Sequence, residues 1–293
     1  MKAGSQRLAL IALFAGAGGI AFAPIFVRLS EVGPAATAFY RMLLALPIFW
    51  LWSALEKTGE GTIRRPSSFH DYSGLVAAGL LFAADLAVWH YSLAFTSVAN
   101  ATLLANFQPV WVTLGAWILF RDRVSPVFLV GLALALGGAA VLMGESFVFN
   151  KRNLIGDLLG LLTALFFAGY FLTVSRLRSR FSTATIMAWS GTVSALALWP
   201  VVDLLGENAL PVTMKGWMVL AGLAVISHGI GQSLIAYALA HLPAAFSSVG
   251  LLLQPVGAAA LAWIILAEPL SGWQWLGGLI VLSGIYLARR GSL

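Results

Sequence analysis

The stretch QPVWVTLGAWILFRDRVSPVFLVGLALALGGAAVL, residues 108–142, recurs in altered form as QPVGAAALAWIILAEPLSGWQWLGGLIVLSGIYLA, residues 254–288. The two stretches align without a gap at an offset of 146 residues, with ten identities in thirty-five pairs. A composition this rich in Leu, Ala and Gly would give roughly three by chance. The chain is therefore an internal duplication, and we assign residues 1–147 to the first repeat and 148–293 to the second.

Each repeat contains five long apolar segments. A bilayer core needs roughly 20 apolar residues per helix, and segments near that length cover residues 8–29, 34–55, 72–95, 98–119, 126–143, 154–175, 183–205, 216–239, 244–265 and 272–288. Only 10% of the chain is charged, against about 25% in soluble domains. The sequence predicts an all-α membrane protein of ten transmembrane helices. Because five is odd, the second repeat enters the membrane from the opposite side, giving an inverted-topology repeat.

The basic residues predict the orientation of these helices. Arg28 and Arg41 lie at membrane depth and are set aside. With the N-terminus inside, twelve other Lys and Arg residues fall in the cytoplasm, and only Lys151, Arg152 and Lys215 fall outside, as the positive-inside rule requires. We expect cytoplasmic termini and a location in the cell inner membrane. The first apolar segment follows Lys2 and Arg7 as a secretory signal would. It is too long for a signal core and completes the first repeat, so we expect it to be a retained helix.

Composition and motifs exclude several other classes of protein. The net charge of +6 lies in spacers between apolar segments, so it orients the chain and does not indicate nucleic-acid binding. The chain has no cysteine, which excludes disulfides and thiolate metal sites. It contains no HExxH, phosphate-loop or GxSxG motif, and no ring of like charges typical of a channel. We expect no catalytic residues, no cofactor and no metal.

The two repeats share prolines and glycines at equivalent positions. Pro109 and Pro255 lie within apolar segments, where proline removes a backbone hydrogen bond and usually kinks the helix. Their repetition predicts a pair of hinges. Small residues at seven-residue spacing allow two helices to approach closely, and they predict that the fifth and tenth helices form a fixed scaffold through Gly131, Gly138, Gly277 and Gly284.

The junctions at residues 121–138 and 267–284 resemble those of the drug/metabolite transporter superfamily, and more narrowly those of two EamA domains. In each junction an acidic residue, Asp122 or Glu268, precedes a Val-Ser or Leu-Ser step and two spaced glycines. The chain is also similar to the aromatic amino acid exporter, or YddG-like, branch. The resemblance implies ten helices, cytoplasmic termini and a central cavity open to one side at a time.

Ionisable side chains at membrane depth are costly and are therefore candidates for function. Arg41 lies about a third of the way into the second helix, where a guanidinium would bind a substrate carboxylate through two parallel hydrogen bonds. The alternatives are a structural ion pair or a snorkelling side chain. Asp85, near the middle of the third helix, would be the partner of Arg41, a contact for a substrate amine or a proton carrier.

Other polar and aromatic residues complete the candidate site. His228 and Gln232 are four residues apart and share a face of the eighth helix, either as substrate contacts or as interhelical hydrogen bonds. Asn106 lies with Pro109 on one side of the fourth helix, which we predict to be an inner wall of the bundle. A stacking pocket for an aromatic substrate, or else ordinary core packing, would use the deeper rings Tyr40, Trp89, Trp111, Trp189 and Tyr237.

These patterns predict a transporter that exports amino acids, aromatic ones above all, or related small metabolites by alternating access without proton coupling. Proton-driven efflux of cationic drugs is a second hypothesis, and a membrane-embedded enzyme is a third. The predicted partners are a small-molecule substrate and the lipid bilayer, with no nucleic acid. The sequence leaves the oligomeric state open and is compatible with a monomer.

Overall fold

The computed structural model describes residues 3–56, 64–92, 95–96, 98–144, 154–267 and 269–292. These residues form no β-strand. Their membrane-length helices are α1 (Ser5–Leu29), α2 (Pro34–Leu55), α3 (Phe69–Ser92), α4 (Asn100–Phe120), α5 (Pro126–Met143), α6 (Leu154–Leu177), α7 (Thr183–Leu204), α8 (Met214–Ala238), α9 (Ala244–Ile265) and α10 (Gly272–Gly291). The predicted all-α architecture of ten helices is confirmed. Glu268, Lys2, Lys151, Arg152 and the boundary between residues 147 and 148 lie outside the described residues.

The helix α10 differs from the other nine in composition. Within the described ranges, α1 to α9 are each long and apolar enough to cross a membrane. The helix α10 has 20 residues, but Gln274, Arg289 and Arg290 make it less apolar. It packs along α5, so a neighbouring helix covers one of its faces.

Four helices are interrupted, and each break is followed by a proline. The breaks lie at Phe22 in α1, at Leu44 and Ala45 in α2, at Asn106 and Phe107 in α4, and at Leu251 and Leu252 in α9. In each case the proline lies in the first turn after the break, where its missing N–H would have no helical partner in any case. The kinks predicted at Pro109 and Pro255 are present as helix breaks, and their role as hinges stays a prediction.

The backbones of α5 and α10 are in contact. A Cβ atom added to Gly138 would lie 2.5 Å from the backbone nitrogen of Val281, and one added to Gly284 would lie 2.4 Å from that of Ala135. At Gly131 and Gly277 the corresponding distances to a backbone nitrogen are 2.3 Å and 2.4 Å. Side chains at these four positions would force the helices apart. The close packing predicted from the glycine spacing is confirmed.

The duplication is visible in the backbone as well as in the sequence. The helices α4 and α9 both end in a left-handed residue, Arg121 with φ 56° and Ala267 with φ 55°. Four residues later, the side chains of Ser125 and Ser271 cap the first turns of α5 and α10. Both pairs are separated by the 146-residue offset of the sequence repeat, so the two junctions have the same local structure.

Two carboxylates tie the α1–α2 loop to the α7–α8 loop, and we call this pair the outer clamp. Glu31 accepts hydrogen bonds from the hydroxyl of Thr213 and, at 3.0 Å, from its backbone N–H, at the start of α8. Glu207 accepts hydrogen bonds from the backbone N–H groups of Ala35 and Ala36, at 3.2 Å and 2.9 Å, at the start of α2. Each repeat therefore caps a helix of the other repeat.

The outer clamp places negative charge where helix N-termini favour it. Hydrogen bonds from the hydroxyl and backbone of Thr213 lower the pKa of the Glu31 carboxyl, so this carboxyl is ionised at neutral pH. The clamp therefore joins the N-terminal ends of α2 and α8, which the predicted orientation places outside.

Candidate functional site

Four helices bring polar and aromatic side chains together at the middle of the bundle. The group, which we call the central cluster, consists of Arg41 from α2, Phe82 and Asp85 from α3, Tyr170 from α6, and His228 and Gln232 from α8. The ring of Phe82 stacks on Tyr170 with 4.5 Å between centroids and on His228 with 5.8 Å. The Cζ atom of Arg41 lies over the same ring, 5.9 Å from its centroid.

Arg41 and Asp85 are neighbours that do not bond to each other. Their charges interact through space, but among the described residues no hydrogen bond or ion pair joins them. The Nε atom of Arg41 is buried without a hydrogen-bond partner, and Asp85 keeps 7% of its surface exposed. The direct structural pair that the sequence allowed is therefore not formed. A buried polar atom such as this Nε is costly without a partner, and Arg41 as a whole is partly exposed, so both groups are suited to binding a charged ligand.

His228 is held by rings and not by hydrogen bonds. It lies in a π-helical segment of α8, Leu223–Gln232, a rare geometry that is frequent at functional sites. Its ring meets Phe82 face to face and Phe49 edge-on at 5.4 Å. Both ring nitrogens are buried without a partner. Of the two possibilities predicted for this residue, the interhelical hydrogen bond is not observed.

Gln232, one turn further along α8, forms an interhelical hydrogen bond, which His228 does not. Its Nε2 atom donates a hydrogen bond of 3.2 Å to the hydroxyl of Tyr170. Both side chains are almost fully buried, with 2% and 1% exposure. Gln232 therefore links α8 to α6 and holds the ring of Tyr170 in place.

The two segments of α9 differ in burial. The first segment of α9, Ala244–Gly250, packs against α4, and residues 246–252 are all buried. After the break, every residue from 253 to 262 is partly exposed. Residues 104–107 of α4 are partly exposed as well. The first part of α9 is thus enclosed by the bundle, and the second part is less covered.

The five rings proposed for a stacking pocket are dispersed. Among them no two are in ring contact. Tyr40 meets Trp217 at 5.4 Å, Trp189 meets Trp50 at 5.4 Å and Tyr72 at 5.1 Å, Trp89 meets His90 at 4.9 Å, and Tyr237 meets His241 at 4.8 Å. These five rings do not contact one another, and the stacking pocket predicted from them stays a prediction.

Two further predicted residues lie away from the central cluster. Trp111 is 36% exposed, and Asn106 points to the sulfur of Met143, with Nδ2 3.9 Å from Sδ. The rings that do surround the polar groups are Phe82, Tyr170 and Phe49, none of which was predicted from the sequence. A Phe among many apolar residues gives no signal of its own, although Phe82 is one helical turn before Asp85 and therefore shares its face.

Comparisons with known proteins agree with this architecture. The model of the EamA-like transporter family matches residues 7–144 and again residues 154–290. An uncharacterized transporter of Archaeoglobus fulgidus is 27% identical over 98% of both chains. The pseudopaline exporter of Pseudomonas aeruginosa is 27% identical over 73% of this chain and 74% of its own. A probable terminal-alkyne amino-acid exporter of Streptantibioticus cattleyicolor is 28% identical over 66% of this chain and 65% of its own.

The fold itself has a solved counterpart. A crystal structure superposes on 100% of this chain and 98% of its own chain with a TM-score of 0.81, at 17% sequence identity. The ten-helix arrangement is therefore shared with a protein whose sequence has diverged widely.

Proposed function

Because this chain belongs to the EamA-like transporter family, we propose that it exports amino acids or related small aminocarboxylates across the inner membrane by alternating access. The N- and C-termini lie in the cytoplasm in this proposal, as the distribution of basic residues predicts.

The observation that carries the proposal is the unpaired couple of Arg41 and Asp85. A guanidinium matches the planar geometry of a carboxylate, and a carboxylate side chain binds an ammonium group. An amino acid presents both groups a few bonds apart, so it would satisfy two charges at membrane depth that do not satisfy each other. Of the two relatives named as exporters, one is called a probable terminal-alkyne amino-acid exporter, which agrees with this class of substrate.

The rings of the central cluster favour an aromatic or otherwise apolar substrate side chain. Phe82 lies beside Arg41 and stacks on Tyr170 and His228, and Phe49 meets His228 edge-on. These rings make the surroundings of Arg41 apolar, and an apolar environment favours the burial of an apolar side chain. His228, with both nitrogens unpartnered, provides a further hydrogen-bonding group for the substrate.

The prolines and glycines that recur in both repeats indicate which helices move during transport and which stay fixed. We assign the breaks before Pro109 and Pro255 to hinges, because each divides a helix into two segments and such a break recurs in both repeats. The helices α5 and α10, whose backbones touch, are the fixed scaffold. Asp85 is the acidic residue at the centre of the cluster and is assigned to the substrate amine, so transport is facilitative and uses no proton.

Efflux of cationic drugs is the second candidate, because Asp85 would attract a cation. Arg41 beside it opposes this, since a second positive charge would meet like charge. Bacteria expressing the protein should tolerate p-fluorophenylalanine better than cells with an empty vector, because the toxic amino acid would be exported, and the two strains should tolerate ethidium equally. Growth curves over a concentration series measure both. Tolerance to ethidium alone would favour the drug exporter, and no tolerance to any toxic amino acid analogue would contradict amino acid export.

A further inference from the structure

Phe82 is the meeting point of the central cluster. Its ring contacts Tyr170, His228 and the guanidinium of Arg41, which come from three different helices. Only 3% of its surface is exposed. Tyr170 and His228 belong to the second repeat, and Arg41 and Phe82 belong to the first, so the contact also joins the two repeats.

Arg41 has little else to fix its direction. Its Nε atom is buried without a hydrogen-bond partner, and its interaction with Asp85 acts through space. A cation over an aromatic face is attracted by the quadrupole of the ring. Within the described ranges, the contact with Phe82 is therefore the directional interaction of the Arg41 side chain.

The ring of Phe82 is itself held firmly from one side. Tyr170 stacks on it with an angle of 19° between the planes, and the hydroxyl of Tyr170 accepts the hydrogen bond from Gln232. Gln232 thus holds Tyr170, Tyr170 holds the ring of Phe82, and Phe82 in turn orients Arg41. A flexible arginine side chain is in this way oriented by buried groups on rigid helices.

We propose that Phe82 is a positioning residue, whose ring sets the direction in which Arg41 presents its guanidinium to a substrate carboxylate. The role in transport rests on the proposed function, whereas the effect on Arg41 itself does not. Phe82 acts through Arg41, so removing its ring should have no further effect once Arg41 is gone.

A double-mutant cycle tests this dependence. The variants are Phe82→Leu, Arg41→Gln and the two combined, measured as counterflow of labelled phenylalanine at a concentration well below half-saturation. We expect Phe82→Leu to lower this rate about tenfold, within the range of a desolvated cation–π contact. The loss should appear as a higher half-saturation concentration with an almost unchanged maximal rate. The combined variant should be no slower than Arg41→Gln alone.

Phe167→Leu is the matched control. The ring of Phe167 also meets Tyr170, at 6.0 Å, but has no ring contact with Arg41 or His228. It should keep the parental half-saturation concentration. If Phe82→Leu is not monodisperse in detergent, Phe82→Met replaces it in the same cycle. A folded Phe82 variant with parental transport, or losses that multiply in the combined variant, would overturn the proposal.

A second measurement needs no substrate. Phenylglyoxal modifies guanidinium groups, and the modification of Arg41 can be followed by mass spectrometry of the purified protein. We expect modification to be faster in Phe82→Leu than in the parent and unchanged in Phe167→Leu. Equal rates in all three proteins would overturn the positioning role even if the protein transported no amino acid. Absence of amino acid transport together with faster modification would overturn only the proposed function.

Discussion

Replacing Arg41 by glutamine should slow the counterflow of phenylalanine about 100-fold, which corresponds to roughly 2.7 kcal/mol of lost binding. Loss of a buried charge that pairs with a ligand typically costs about 2–5 kcal/mol, because the ligand carboxylate is left in a dry site without its partner. Arg41→Lys keeps the charge but loses the planar pair of donors, so its rate should be intermediate.

The control for Arg41 is an arginine that lies outside the membrane core. Arg176, in the last turn of α6, is exposed, and Arg176→Gln should transport at the parental rate. Initial rates in proteoliposomes with equal amounts of reconstituted protein make the comparison. An Arg41→Gln variant that folds and transports at the parental rate would remove Arg41 from the binding site.

Gly138→Val should prevent stable assembly of the α5–α10 scaffold. A Cβ atom at this position would lie 2.5 Å from the nitrogen of Val281 and 2.9 Å from the carbonyl oxygen of Gly277. These are backbone atoms, and they can move only if the helices separate. Overpacking a tight interior usually costs about 1–3 kcal/mol, and we expect the upper end of that range because no flexible side chain can give way.

The neighbouring residue provides a control with the same chemical change. Gly137→Val adds the same side chain to the same helix, and a Cβ atom at Gly137 has no heavy atom within 4 Å. Thermal unfolding in detergent should show a clearly lower midpoint for Gly138→Val than for Gly137→Val. Equal midpoints would mean that the contact between α5 and α10 does not stabilise the fold.

Most of the fold was predictable because a bilayer permits few kinds of backbone structure. Backbone polar groups in a membrane must be satisfied internally, so long apolar segments become helices. The 146-residue repeat predicted the equivalence of the two junctions, and the structure repeats even the left-handed residues Arg121 and Ala267. The glycine spacing predicted which helices touch, because small residues are what permits such contact.

The breaks in α1 and α2 and the π-helical segment of α8 were not predicted. Pro24 and Pro47 lie within apolar segments, as Pro109 does, but neither has a matching proline in the other repeat. The π-helical turn of residues 223–232 depends on packing: the backbone of α8 at Gly231 lies against Gly16 and Gly19 of α1. Such a close approach between distant segments leaves no periodic pattern in either one.

The ionisable residues of the candidate site were predictable from the sequence, and its aromatic residues were not. Arg41, Asp85 and His228 were conspicuous because polar groups are rare at membrane depth, and the structure brings all three into one cluster. Aromatic residues are common at every depth, so depth alone could not separate Phe82 from Trp111. The first supports Arg41, and the second is 36% exposed on the surface of the bundle.

Counterflow in proteoliposomes tests most directly the claim that the central cluster carries aminocarboxylates across the membrane. Vesicles preloaded with unlabelled phenylalanine, without a proton gradient, should transiently accumulate labelled phenylalanine from outside. Other amino acids should compete with the label, while phenylethylamine and phenylpropionate, which each lack one of the two charged groups, should not. No accumulation of label with any member of a broad amino acid panel, from vesicles that contain folded protein, would contradict the claim.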